Sequence, residues 1–180
     1  MEKTVTNAIE FRRSVRKFDP KKDLDVDIVK KCIINATLAP TSSNLQLWEF
    51  YHITDKNLLG KISECCFSQP AAKTAKQIVV TVVRKDLWKS RANDNLNFFK
   101  SKKDSLSEKQ FNLTKRYYKK VIPFVYKDFF GILSLCKYLF AYIAGFYRVM
   151  YRQLSRSDSR IIAHKSAALA SQNFMISMAG

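Results

Sequence analysis

Only two segments of this 180-residue chain read as β-strands, and that shortage constrains what it can fold into. The first is LWEFYHIT, residues 47–54, rich in aromatic and β-branched side chains. The second is QIVVTVVR, residues 77–84, a nearly continuous apolar run that suits a strand buried on both faces. A two-stranded sheet is marginal by itself. More strands are therefore expected, from chain continuing past Gly180 or from a partner. The first source is favoured, because Met178-Ala179-Gly180 resembles the end of a helix that leads into a further element.

Helical signals fill most of the remainder. Residues 2–11 read as a short helix with Val5, Ala8 and Ile9 on one face. Asp25 can cap a second helix carrying Ile28, Val29, Cys32, Ile33 and Ala36 at the spacing of a buried stripe, ended by Pro40. Asp55 can cap a third through Cys66, with Leu58, Leu59 and Ile62 inward. From about residue 86 to 157 the character changes. Residues 86–120 are polar and Lys-rich, helical in pieces, and residues 129–151 are strongly apolar and aromatic. Asp158 opens a last helix through Ala179, whose Ala163, Ala167, Ala168, Ala170 and Ser171 permit close approach of a neighbour or a cofactor. Four Gly and four Pro in a chain of 47% hydrophobic and 26% charged residues indicate one globular domain over residues 1–180.

Thirty-two Lys and Arg against fifteen Asp and Glu give +17, which favours anionic partners: a phosphorylated cofactor, nucleic acid or an acidic membrane. The bases are spread along the chain, and one bound phosphate cannot account for them all. Cysteines at 32, 65, 66 and 136 form no CxxC pair and have no nearby His, so neither a zinc site nor a disulfide framework is expected. Free thiols and an N-terminus without a signal-peptide apolar region make the cytoplasm the expected compartment.

Two segments carry candidate chemistry. Arg12-Arg13-Ser14-Val15-Arg16-Lys17-Phe18 puts three guanidiniums and a hydroxyl within five residues, and guanidinium forks match phosphate oxygens. Val15 and Phe18 would anchor it; a solvated basic turn is the bland alternative. Pro40-Thr41-Ser42-Ser43-Asn44, running on through Gln46 and Trp48 to Phe50, sets hydroxyls and amides on a loop between helix and strand. Asn and Gln can match a flavin's ring edge, though an ordinary helix-to-strand connection has the same composition. No Ser-His-Asp set or carboxylate pair occurs, and His52 and His164 read as structural.

In order, R-x-S-x-R-x-F, then P-T-S-x-N-x-Q-x-W-x-F, then the run from Ala168 through Gln172-Asn173 to Gly180, resemble nitroreductase-family flavoproteins over residues 2–84 and 158–180. The resemblance implies an α+β fold, a central mixed or antiparallel sheet flanked by helices, with a helical insertion at about 86–157. It implies a homodimer holding FMN at its interface, with NADH or NADPH as co-substrate. Hydride would pass through flavin N5 to nitroaromatics, quinones or similar acceptors in ping-pong fashion, with no protein catalytic residue and no metal. Carried over by position, Arg12, Arg13, Ser14 and Arg16 meet the FMN phosphate and ribityl chain. Thr41, Ser42 and Asn44 meet the flavin, and Gln69 supplies an amide on the flavin side. Leu47 stands where the family commonly has Pro, and the family's Gly-rich turn and a later basic residue would lie beyond Gly180. The alternatives are a flavin-binding protein without reductase activity and a basic membrane- or nucleic-acid-binding module; under the flavin reading no nucleic acid is expected.

The apolar stretch 129–151 has membrane-span length, but Lys137, Arg148, Gly131 and Gly145 interrupt it. A channel cap or dimer-wrapping helix is the first reading, an interfacial helix on anionic lipid the second, and a transmembrane span the last.

Overall fold

The computed structural model describes residues 3–129, 131–149 and 155–180. Its elements run α1 (Val5–Phe11), α2 (Val26–Thr37), β1 (Trp48–Ile53), α3 (Lys56–Cys65), α4 (Pro70–Thr74), β2 (Ile78–Val83), α5 (Trp88–Ser101), α6 (Glu108–Arg116), α7 (Ile122–Tyr126), α8 (Ile132–Tyr147) and α9 (Arg156–Ser177). The chain divides into two compact units. A sheet unit comprises the residues through Pro40, Trp48–Val82 and Ala167–Gly180; a helical unit comprises Thr41–Leu47 and Val83–Ser166.

Among the described residues, β1 and β2 are the only strands, and they pair directly. Arg84 N–H donates to the Leu47 carbonyl at one end of the ladder (3.0 Å), and His52 Nε2 meets Gln77 Oε1 (2.7 Å) at the other. The pairing is thus antiparallel, in the α+β arrangement expected. The apolar run of β2 is only half-buried along its whole length, not covered on both faces, because so small a sheet has too little packed against it.

Local signals placed the helix starts well. Asp25 accepts from Asp27 N–H and Asp55 from Leu58 N–H, so both cap as expected. The start of α9 differs. Ser155 and Asp158 form a reciprocal pair, Ser155 N–H to Asp158 Oδ2 (2.9 Å) and Asp158 N–H to Ser155 Oγ (3.1 Å). Asp158 is therefore the third residue of a capping box, not the cap. Glu2 of the expected first helix, and Phe130, Met150 and Tyr151 of the apolar stretch, lie outside the described residues.

Three inward stripes are narrower than the spacing suggests. In α1 only Ala8 is buried, while Val5 and Ile9 are exposed. In α2 Val29, Cys32 and Ala36 are buried and Ile28 faces out; in α3 Leu59 is buried and Leu58 is not. The sheet unit's core is consequently made largely of small side chains: Ala8, Cys32, Ala36, Ala39, Ala170 and Ala179 around Val29, Trp48 and Leu59. The second half of α9 lies against it, with Ser171 Oγ donating to Thr81 Oγ1 (3.2 Å) and Asn35 Nδ2 to Ser177 Oγ (2.8 Å).

The helical unit has a continuous cluster of larger residues: Leu45, Leu47, Leu96, Tyr118, Ile122 and Tyr126, with Ala92 and Ala163. A π-helical turn, Tyr117–Val121, joins α6 to α7. No helix among the described residues is long and apolar enough to cross a membrane.

Candidate functional site

The basic segment begins where α1 stops. Arg12 is the C-cap, its N–H bonded to the Ala8 carbonyl (3.0 Å). Val15 N–H turns back to the Arg13 carbonyl (3.1 Å), and Phe18 N–H donates to Thr74 Oγ1 (2.9 Å) on α4. The stretch is thus pinned at both ends through its backbone. Val15 and Phe18 are exposed, so the apolar anchoring expected of them is absent.

The side chains divide by role. Arg13 folds back, its guanidinium bonded to the carbonyls of Glu10 and of Arg12 (2.9 Å to the latter). Arg12, half-buried, and Arg16, exposed, meet no carboxylate among the described residues, and the Ser14 hydroxyl is exposed. Two permanent cations on a short pinned backbone, with no internal counter-ion, fit a phosphate dianion. Gln69, also in the sheet unit, begins α4 without a side-chain capping bond, so its exposed amide is uncommitted. It follows Phe67 and Ser68, both with left-handed backbones (φ 56° and 51°).

Thr41, Ser42 and Asn44 belong to the helical unit and are described there. Their loop carries three non-glycine residues at positive φ: Ser43 (55°), Asn44 (50°) and Gln46 (48°). Such backbone costs about 1–2 kcal/mol per residue and persists only where the surroundings impose it. Here they do. Leu45 and Leu47 are buried in the cluster, each worth roughly 1.5–3 kcal/mol. Asn95 Nδ2 donates to the Asn44 carbonyl (2.7 Å), the Tyr118 hydroxyl to the Ser43 carbonyl (3.0 Å), and Tyr117 OH pairs with Ser43 Oγ (2.6 Å). Burial pushes the Tyr118 phenol up, aided by neighbouring Tyr117, so it remains a donor across the neutral range.

Within the loop the candidates also separate. The Asn44 amide is committed, donating to Asn95 Oδ1 (3.1 Å) and accepting from Gln46 Nε2 (3.1 Å). Thr41 Oγ1 accepts from Gln46 N–H (3.2 Å). Ser42 N–H reaches Ser166 Oγ (3.4 Å), while its own hydroxyl is exposed. The clamping residues Asn95, Tyr117 and Tyr118 escaped the sequence reading, since they sit in a polar, Lys-rich region whose pattern points only to surface helix. At the first residue of β1, Trp48 has a buried indole N–H without an acceptor among the described residues.

Known proteins supply the remaining context. The nitroreductase family model matches residues 9–180. The Protein DrgA of Synechocystis is 35% identical over 82 residues, 46% of this chain and 39% of that one. Two solved structures share the fold, each at 16% identity. An NAD(P)H:FMN oxidoreductase of Staphylococcus epidermidis gives a TM-score of 0.69 over 97% of this chain and 68% of that one. A nitroreductase-type protein of Exiguobacterium sibiricum, solved with FMN, gives 0.58 over 98% and 70%. The chain spans about 40% of the length of the curated relatives it matches.

Proposed function

The chain belongs to the nitroreductase family, and from that premise we propose that it serves an FMN-dependent oxidoreductase drawing hydride from NADH or NADPH. Nitroaromatics, quinones and similar small oxidised molecules are the proposed acceptors. The observation that carries this is the Arg12–Arg16 segment: two cations without internal counter-ions, on a backbone held at α1 and at Thr74. FMN, when bound, supplies the redox chemistry at its N5 in two half-reactions, which is why the chain needs no nucleophile or carboxylate pair.

The residues then take distinct roles. Arg12 and Arg16 bind the phosphate, and Ser14 donates a hydroxyl beside them. Arg13, already bonded to two carbonyls, shapes the turn and adds charge. In the loop, Ser42 has the hydroxyl free for the cofactor, while Thr41 and Asn44 hold the left-handed backbone that presents it. Gln69 offers its free amide. A homodimer is the proposed assembly. Val5, Ile9, Phe11, Ile28 and Leu38 of the sheet unit are exposed, an apolar surface suited to a second copy. Four free cysteines suit a reducing compartment such as the cytoplasm.

Purified full-length protein should be yellow and bleach on anaerobic addition of NADH or NADPH. Arg12→Ala should weaken FMN binding by roughly 10- to 100-fold, the worth of a charge-assisted bond, while Lys17→Ala should change it by less than about 3-fold. Equal effects would mean that the phosphate lies elsewhere. Yellow protein that neither nucleotide bleaches would leave a flavin-holding protein without reductase activity, and colourless protein that takes up no FMN would sink the proposal.

A further inference from the structure

Helix α8, in the helical unit, is built inside out. The side chains it turns inward are small or polar: Ser134, Lys137 and Ala141 are its buried residues. Its large apolar residues face outward, with Ile132, Leu135, Leu139, Phe140, Ile143 and Tyr147 between 50 and 84% exposed. At about 100° per residue these positions cover an arc of roughly 140°. An amphipathic helix of a protein in water has the reverse arrangement. Gly131, at φ +88°, starts the helix in a conformation a side chain would resist, so its placement is specified locally.

A cover for this face must suit its charge as well as its apolarity. The helical unit holds 19 of the chain's Lys and Arg but only 6 Asp and Glu, a net +13, against +4 for the sheet unit. Beside α8 lies an open cavity of about 640 Å³, lined by Lys120, Lys127 and Lys137 together with the apolar Pro123, Phe124, Leu133 and Phe140. A second copy docked through this unit would set one net +13 against another and be repelled. An anionic bilayer is attracted instead, by about 1 kcal/mol per Lys or Arg near its surface. Sixteen residues give roughly 24 Å of helix, short of the ~30 Å hydrocarbon core, so α8 would lie along the surface.

We propose that the helical unit docks on an anionic membrane surface. The exposed face of α8 enters the headgroup–acyl boundary, and Lys120 and Lys127, which line the adjoining cavity, take lipid phosphates. This goes beyond the reductase reading and does not depend on it. The test is flotation of the full-length protein with vesicles of phosphatidylcholine alone and with about a quarter phosphatidylglycerol.

Binding to the anionic vesicles should be at least 10-fold stronger, and should fall by a similar factor when salt rises from about 0.05 to 0.5 M. Leu139→Glu with Ile143→Glu should lower it at least 10-fold, with helical content and FMN uptake unchanged, since both positions are exposed. Lys120→Glu with Lys127→Glu should act on the anionic vesicles alone. Equal binding to both vesicle types, or to neither, overturns the proposal. So does a Leu139→Glu/Ile143→Glu variant that floats normally but sediments as a smaller species, which would make the face a contact between copies.

Discussion

The two units solve the problem of presenting polar groups in different ways. In the helical unit the loop Thr41–Leu47 is fastened from below by Leu45 and Leu47 and clamped from the side by Asn95, Tyr117 and Tyr118. That fastening holds three side-chain-bearing residues in left-handed backbone. In the sheet unit the basic segment has no core beneath it. Val15 and Phe18 are exposed, and backbone bonds to Ala8 and Thr74 do the holding. A packed cluster can impose strain on a loop, whereas two hydrogen bonds can only keep an unstrained segment in place. The cores match this division: aliphatic and aromatic in one unit, largely Ala and Cys in the other.

The sharpest way to break the comparison is to truncate each core. Ile122→Ala in the helical unit should cost about 3 kcal/mol, read from urea denaturation, and should loosen the loop. Val29→Ala, the corresponding large residue of the sheet unit, should cost about half as much and leave the loop untouched. Equal costs would show that small-residue packing is as strong as the cluster.

Next in size, Asn95→Ala removes the donor to the Asn44 carbonyl and should cost about 1–2 kcal/mol. Amide exchange within residues 41–47 should quicken about 10-fold, as expected for that loss. No change would mean that Leu45 and Leu47 alone impose the left-handed backbone. Smaller still, Phe67→Gly in the sheet unit should raise stability by up to about 0.5 kcal/mol, because relief of positive φ exceeds the glycine's added chain entropy. Phe67 is 90% exposed, so little packing is lost. A drop in stability would show the side chain making contacts of its own.

The smallest effect concerns the surface pair of Asp23 and Lys76 (2.5 Å). The bond from Lys76, then its charge, holds the Asp23 carboxyl below the ordinary range. A depressed carboxylate contributes stability above its unfolded pKa and loses it as pH falls through the folded value. The carboxyl titration of Asp23, followed by NMR, should therefore have a midpoint below the usual carboxylate value, rising towards it in Lys76→Ala and in high salt. An unshifted midpoint would mean that the pair does not form in solution.

Much of the chain was legible because its signals are local. A cap needs only one side chain and a backbone N–H two or three residues on, so Asp25 and Asp55 were readable. Three cations within five residues are a fact of order, as is the spacing that marks the family. Asp158 was misassigned by a few residues because a capping box uses an acid at its third position as readily as a cap does. The inward stripes were over-read at Val5, Ile9, Ile28 and Leu58, since periodicity names a face without saying what covers it.

The sequence by itself determined the α+β class, the starts of α2 and α3, the number of strands described and the cationic segment, all interactions within a few residues. Tertiary structure decided the rest. It showed the second strand half-buried, because the sheet has too few layers to cover it. It turned the apolar side of α8 outward and drew Asn95, Tyr117 and Tyr118 to a loop some fifty and seventy-five residues earlier. Such long-range pairings leave no local trace, because their energy is realised only after the chain has closed on itself.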